Sequence, residues 1–157
     1  MAKAKAVPEG YTTVTPSLIQ RDCNKAIEFY KRALGAVEVM RMPGPDGKIM
    51  HAEIRIGNAV VMMNDEMMGM KSAESLGSSP VTFYIYVEDC DQAYQKAIAA
   101  GGKEVMPPAD MFWGDRMSQF TDPFGYRWSI STHVKDMTPE EMKKGQEEWM
   151  KQMAGAH

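Results

Sequence analysis

The chain has 157 residues, 44% of them hydrophobic and 25% charged, the make-up of a soluble globular protein large enough to bury one core. Its net charge of −3 excludes the basic footprint of a nucleic-acid binder, and no run is long and apolar enough to span a bilayer, so neither nucleic acid nor membrane is expected as a partner. The start Met1-Ala2-Lys3-Ala4-Lys5-Ala6 lacks the apolar stretch of a secretory signal, and Cys23 and Cys90 have no CxxC partner, so a cytoplasmic protein without a disulfide framework is expected.

In chain order, residues 13–19 read as an extended segment. Asp22 then caps a helix, because a short carboxylate accepts from the free N–H groups of a first turn. Ala26, Ile27, Phe29, Tyr30, Ala33 and Leu34 recur at helical spacing, and Gly35 ends the run. Pro43-Gly44-Pro45-Asp46-Gly47 is turn chemistry. Residues 50–56 alternate polar with apolar: His51, Glu53 and Arg55 leave one sheet face, while Ala52, Ile54 and Ile56 meet the helix. Gly57-Asn58 signals a hairpin into the next strand, which carries Ala59-Val60-Val61-Met62.

Residues 66–79, rich in Met, Ser and Gly, read as a linker whose Met67, Met68 and Met70 either cover a pocket or belong to a mobile loop. The pattern then repeats. Residues 81–87 are extended, Asp89 caps a second helix, and Ala93, Tyr94, Ala97, Ile98 and Ala100 recur before Gly101-Gly102. Residues 117–121 pair with 126–131 across Asp122-Pro123-Phe124-Gly125. Asp22-Cys23-Asn24-Lys25-Ala26 is matched by Asp89-Cys90-Asp91-Gln92-Ala93, and Glu38-Val39-Met40 by Glu104-Val105-Met106. Each half is strand, helix, strand, strand, strand. Residues 1–157 therefore form one α+β domain, with repeats at 11–65 and 80–134. Thr138-Pro139-Glu140-Glu141 is a capping box opening a C-terminal helix over 138–153, striped by Met142, Trp149 and Met153.

Several residue groups carry two readings. His51 and Glu53 share a strand face, so an imidazole beside a carboxylate acts as a general base or binds a polar ligand; alternatively, they form a hydrogen-bonded polar face without chemistry. Trp113 stacks on a ligand while Arg116 forks a carboxylate or phosphate, or an Asp115–Arg116 pair pins the loop with Trp113 at a subunit contact. Cys23 and Cys90 stand at helix starts that favour a thiolate, but read more simply as small buried groups. His133 reads as structural.

Ala26-Ile27-Glu28-Phe29-Tyr30, Leu34-Gly35 and Asp122-Pro123-Phe124-Gly125-Tyr126-Arg127-Trp128 resemble the signatures of the glyoxalase/bleomycin-resistance (vicinal oxygen chelate) superfamily. Arg41-Met42-Pro43-Gly44-Pro45-Asp46-Gly47, Met50-His51-Ala52-Glu53 and Phe112-Trp113-Gly114-Asp115-Arg116 resemble its PhnB-like subgroup. The resemblance implies two βαβββ repeats forming a curled mixed sheet around a small-molecule pocket. It also implies a homodimer, with exchange of halves left open.

In metal-dependent members four strand positions supply the ligands. Aligned on the helix signature and glycine turns, those positions here are Thr15, Met62, Thr82 and Ser129, none of them an imidazole or carboxylate. Neither metal nor other cofactor is therefore expected. The expected function is metal-independent binding of a small organic molecule, as sequestration or weak catalysis. The alternatives are a metal-dependent lyase, isomerase or dioxygenase with non-standard ligands, and an interaction module with a vestigial cavity. Strand alternation lines the expected cavity with Thr15, Ser17, His51, Glu53 and Met62 from the first half. The second half supplies Thr82, Tyr84 and Ser129, with Trp113 and Arg116 at the mouth. Ser118 and Phe120 are left without a side, because the strand after Trp113 can slip by one residue.

Overall fold

The computed structural model describes residues 4–156; Met1, Ala2 and Lys3 of the basic start lie outside them, as does His157. The first half runs β1 (Ser17–Gln20), α1 (Cys23–Leu34), β2 (Val37–Pro43), β3 (Ile49–Ile56) and β4 (Ala59–Asp65). After a short helix α2 (Ala73–Leu76), the second half repeats the pattern as β5 (Thr82–Tyr86), α3 (Cys90–Ala99), β6 (Lys103–Asp110), β7 (Asp115–Thr121) and β8 (Arg127–His133); α4 (Pro139–Ala154) follows.

Local chemistry sets the ends of these elements. The Lys25 amide donates to Asp22 Oδ1 at 3.1 Å, and the Gln92 amide to Asp89 Oδ1 at 2.9 Å, so both expected caps form. Gly35 ends α1 at φ 64°, a left-handed conformation that favours glycine. Thr138 and Glu141 close the expected capping box on α4. The stretch between the halves is more ordered than a loop. Glu66 accepts from the Ser72 amide and hydroxyl at 2.8 and 2.7 Å, and Ser72 caps the single turn of α2.

The curled mixed sheet is divided in two, in the orders β1-β4-β3-β2 and β5-β8-β7-β6, with one parallel pair in each, β1 with β4 and β5 with β8. Period-2 alternation sends Leu18, Ala52, Ile54, Val61 and Met63 of the first sheet, and Phe120, Trp128 and Ile130 of the second, into one shared core with α1 and α3. The halves are welded there. Phe29 packs 5.8 Å from Phe124, and Tyr30 5.4 Å from Trp128, ring centre to ring centre. Both sheets therefore give their apolar faces to a common helical layer and turn their polar faces away from it. The expectation of one cavity built by both polar faces is corrected here: a single chain presents them as two separate surfaces. Among the described residues no helix is long and apolar enough to cross a membrane.

Candidate functional site

On the first sheet, His51 and Glu53 leave β3 on the polar face, as alternation requires. The Glu53 side chain is only 6% exposed. His51 Nε2 lies 2.8 Å from Glu53 Oε1, and the Tyr11 hydroxyl donates to Oε2. Burial pushes the Glu53 carboxyl up, but the hydrogen bonds from Tyr11 and His51 together outweigh it and hold the group below the usual carboxylate range. The same contact raises the Tyr11 phenol. Ala6, Val7, Pro8, Tyr11, Thr12, Thr13 and Thr15 of the lead-in segment, with Glu53 and Met62, line an open cavity of about 430 Å3. Thr15 lines it from the irregular lead-in to β1. Ser17 follows on β1 beside Met62, and is exposed.

The second polar face centres on Asp115, 2% exposed at the start of β7. Its Oδ2 accepts from the Tyr84 hydroxyl at 3.0 Å, the Tyr86 hydroxyl at 3.1 Å and Trp113 Nε1 at 3.2 Å. Its Oδ1 lies 2.8 Å from His133 Nδ1, and His133 Nε2 reaches Asp136 at 2.9 Å. Burial raises the Asp115 carboxyl, and the hydrogen bonds, led by His133, lower it further than that; the imidazole is raised in return, first by Asp115 and then by Asp136. Gly114, at φ 94°, lets the Trp113 loop meet the chain ahead of α4, since a Cβ there would sit 2.0 Å from the Lys135 carbonyl oxygen. Ser129 is buried on the same face and accepts from Gln119 Nε2 at 3.0 Å, whereas Thr82 is exposed.

Arg116 is not at a cavity mouth. β7 begins at Asp115, so the next residue points to the helix side, where Arg116 Nη2 binds Asp91 Oδ1 of α3 at 2.8 Å and Nη1 binds Asp110 at 3.0 Å. Nor does it pair with Asp115, as the loop-pinning reading required. The same register puts Ser118 beside Cys90 and Phe120 in the core. Cys23 and Cys90 are buried, and burial pushes both thiols up, away from thiolate character.

Thr15 and Met62 lie on the first sheet's polar face, Thr82 and Ser129 on the second sheet, so the four positions expected from the resemblance to align with metal ligands are divided between the two sheets of the chain. Two of their hydroxyls are already engaged, Thr15 donating to the Thr12 carbonyl and Ser129 accepting from Gln119. Hydroxyls and a thioether do not fit a borderline divalent ion. Among the described residues, no three His, Cys, Asp or Glu side chains gather as a metal cluster.

The family model of the Glyoxalase/Bleomycin resistance protein/Dioxygenase superfamily matches residues 12–130. The chain belongs to this superfamily. An uncharacterized protein of Mycobacterium bovis is 42% identical over 135 residues, covering 83% of this chain and 89% of that one. YjdN of Escherichia coli is 31% identical over 130 residues, covering 70% and 87%. Among solved structures, TioX from Micromonospora sp. ML1 superposes with a TM-score of 0.64 at 26% identity, covering 78% of this chain and 99% of that one. A glyoxalase/bleomycin resistance protein/dioxygenase from Nocardioides gives 0.61 at 26% identity, covering 82% and 87%. As a member of the glyoxalase/bleomycin-resistance superfamily, the chain keeps the two βαβββ units of its fold.

Sequence reasoning missed Tyr11, which no periodicity marks, and set His133 aside. The alternation of Asp115, Met117 and Gln119 opposite Ser129, Ser131 and His133 was the available signal for the second cluster.

Proposed function

We propose that this superfamily member binds a small organic molecule on the polar face of β3, without a metal, as a sequestering protein or a weak catalyst. One observation carries the reading: a nearly buried, ionised Glu53 is held between Tyr11 and His51 at the side of a cavity with partly apolar walls. A concave, partly apolar surface of several hundred Å3 with a few convergent polar groups is the usual make-up of a small-molecule site. In any weak catalysis, His51 and Glu53 are the candidate acid–base groups.

The proposal extends to assembly. The chain acts as a homodimer in which the Tyr84, Tyr86 and Asp115 face of a second copy closes over the Glu53 face. The support is exposed apolar and aromatic surface on both, with Met40 and Met42 beside the first and Tyr84 and Tyr86 on the second. Both sheets also end in strands with unpaired edges, which favour a partner. We further place the protein in the cytoplasm, on its two free and separately buried cysteines, and in the PhnB-like subgroup, on the motifs at 41–47, 50–53 and 112–116. The experiment is a thermal-shift screen of small molecules, because a ligand of the native state raises its stability. A compound that stabilises the wild type should lose its effect in His51→Ala and Glu53→Ala. Equal stabilisation of both variants would remove the β3 face as the site.

A further inference from the structure

The cavity beside Glu53 carries a charge imbalance that narrows its ligand. Its walls are apolar at Val7, Pro8, Met62 and the Tyr11 ring, and threonine hydroxyls complete it. Among the described residues, Glu53 is the one lining residue that carries a charge near neutrality. Arg55 leaves the same strand face, but its guanidinium lies against Gly10 and outside the cavity lining. Tyr11 and His51 each occupy one Glu53 oxygen, and each oxygen keeps a second lone pair. A nearly buried carboxylate whose direct partners are a phenol and an imidazole, in a cleft whose lining holds no Lys or Arg among the described residues, gains from a ligand that brings a permanent cation.

We infer that the cavity takes an amphipathic organic amine, its ammonium on Glu53 and its apolar body against Met62, Val7 and Pro8. This rests on the reading of the β3 face as the ligand site. The Tyr11 ring adds a π face for the cation, and the thioether of Met62 adapts to the shape of the apolar part.

The test compares three compounds of one shape, 4-phenylbutylamine, 4-phenylbutan-1-ol and 4-phenylbutyrate, by titration calorimetry on the full chain. The amine should bind at least about tenfold more tightly than the alcohol, with the carboxylate weakest. Glu53→Gln should bring the amine down to the level of the alcohol. Should that variant fail to fold, Thr15→Lys, at a half-buried lead-in position outside the core, puts a competing cation beside the cavity and should weaken the amine alone. Alcohol or carboxylate binding as tightly as amine overturns the amine inference. If Thr15→Trp, which fills the cavity, abolishes that binding, the β3 face still stands as the site. Failure of all three to bind also overturns the amine inference, and whether other compounds perturb the Met62 methyl group then judges the face separately.

Discussion

Tyr30, on the helix of the first half, donates a 2.7 Å hydrogen bond to the Asp122 carboxylate in the β7–β8 turn of the second. Trp128 Nε1 donates to the same oxygen at 2.9 Å, and the Phe124 and Tyr126 amides to the other, also at 2.9 Å. Burial still pushes the Asp122 carboxyl up, so each donor matters. Tyr30→Phe leaves a buried acceptor short of one partner at the joint between halves, and should cost about 1–3 kcal/mol in urea unfolding. An unchanged midpoint would show that the halves are held by aromatic packing alone.

His133 should give the fold a pH dependence. The imidazole is raised above its ordinary 6.5 by Asp115 and Asp136, so the folded state holds the proton more tightly than the unfolded chain. Its contribution is complete below that ordinary value and is lost as the pH rises through the raised one. Asp115 runs the other way: held below its ordinary 3.8, it stabilises above that value and loses its effect as the pH falls through the lowered one. His133→Gln should therefore flatten the alkaline decline in stability, and because His133 leads the hydrogen bonds that lower Asp115 it should also lessen the acid decline below about pH 4. Urea midpoints from about pH 5 to pH 9 measure the difference, and a variant whose alkaline slope matches wild type contradicts the assignment.

Arg116→Ala should leave ligand binding unchanged. Its partners Asp91 and Asp110 lie on the helix side and are themselves largely exposed, so the substitution should cost little stability. Calorimetry on any ligand lost in Glu53→Ala checks this, and a matching loss in Arg116→Ala would reverse the register of β7.

How far the sequence carried depended on whether a residue sat inside a regular period. The alternation of residues 50–56 was enough to put His51 and Glu53 on one face, because one buried face fixes register. Tyr11 reaches Glu53 from an irregular segment 42 residues away, a contact no local pattern encodes. Arg116 was misplaced because the Trp113-Gly114-Asp115-Arg116 run read as one loop, whereas the strand starts at Asp115 and alternation begins there. The two βαβββ units were legible from repeated caps and glycines. Their packing through the helices depends on Tyr30, Phe29 and Trp128, long-range partners whose apolar periodicity says only that they are buried.

The dimer makes a separate prediction. On α4, Trp149 and Met153 stay about half exposed, and Trp149 touches the rest of the chain through Phe112, 6.3 Å away ring to ring. If this stripe packs on the second copy, Trp149→Glu with Met153→Lys should convert a dimer to a monomer in light scattering. A wild-type monomer across micromolar concentrations refutes the dimer itself.

Met62 and Met63 are adjacent in β4 but serve opposite faces: Met62 lines the Glu53 cavity, and Met63 is fully buried in the core. Methyl NMR on methionine-labelled protein, titrated with a compound chosen by thermal shift, therefore tests the ligand site most directly. The Met62 signal should move in proportion to occupancy while Met63 stays nearly still, and Glu53→Gln should weaken the response. A compound that binds and leaves Met62 unmoved, while shifting Met137 ahead of α4 and Met142 on it, would contradict a site on the β3 face.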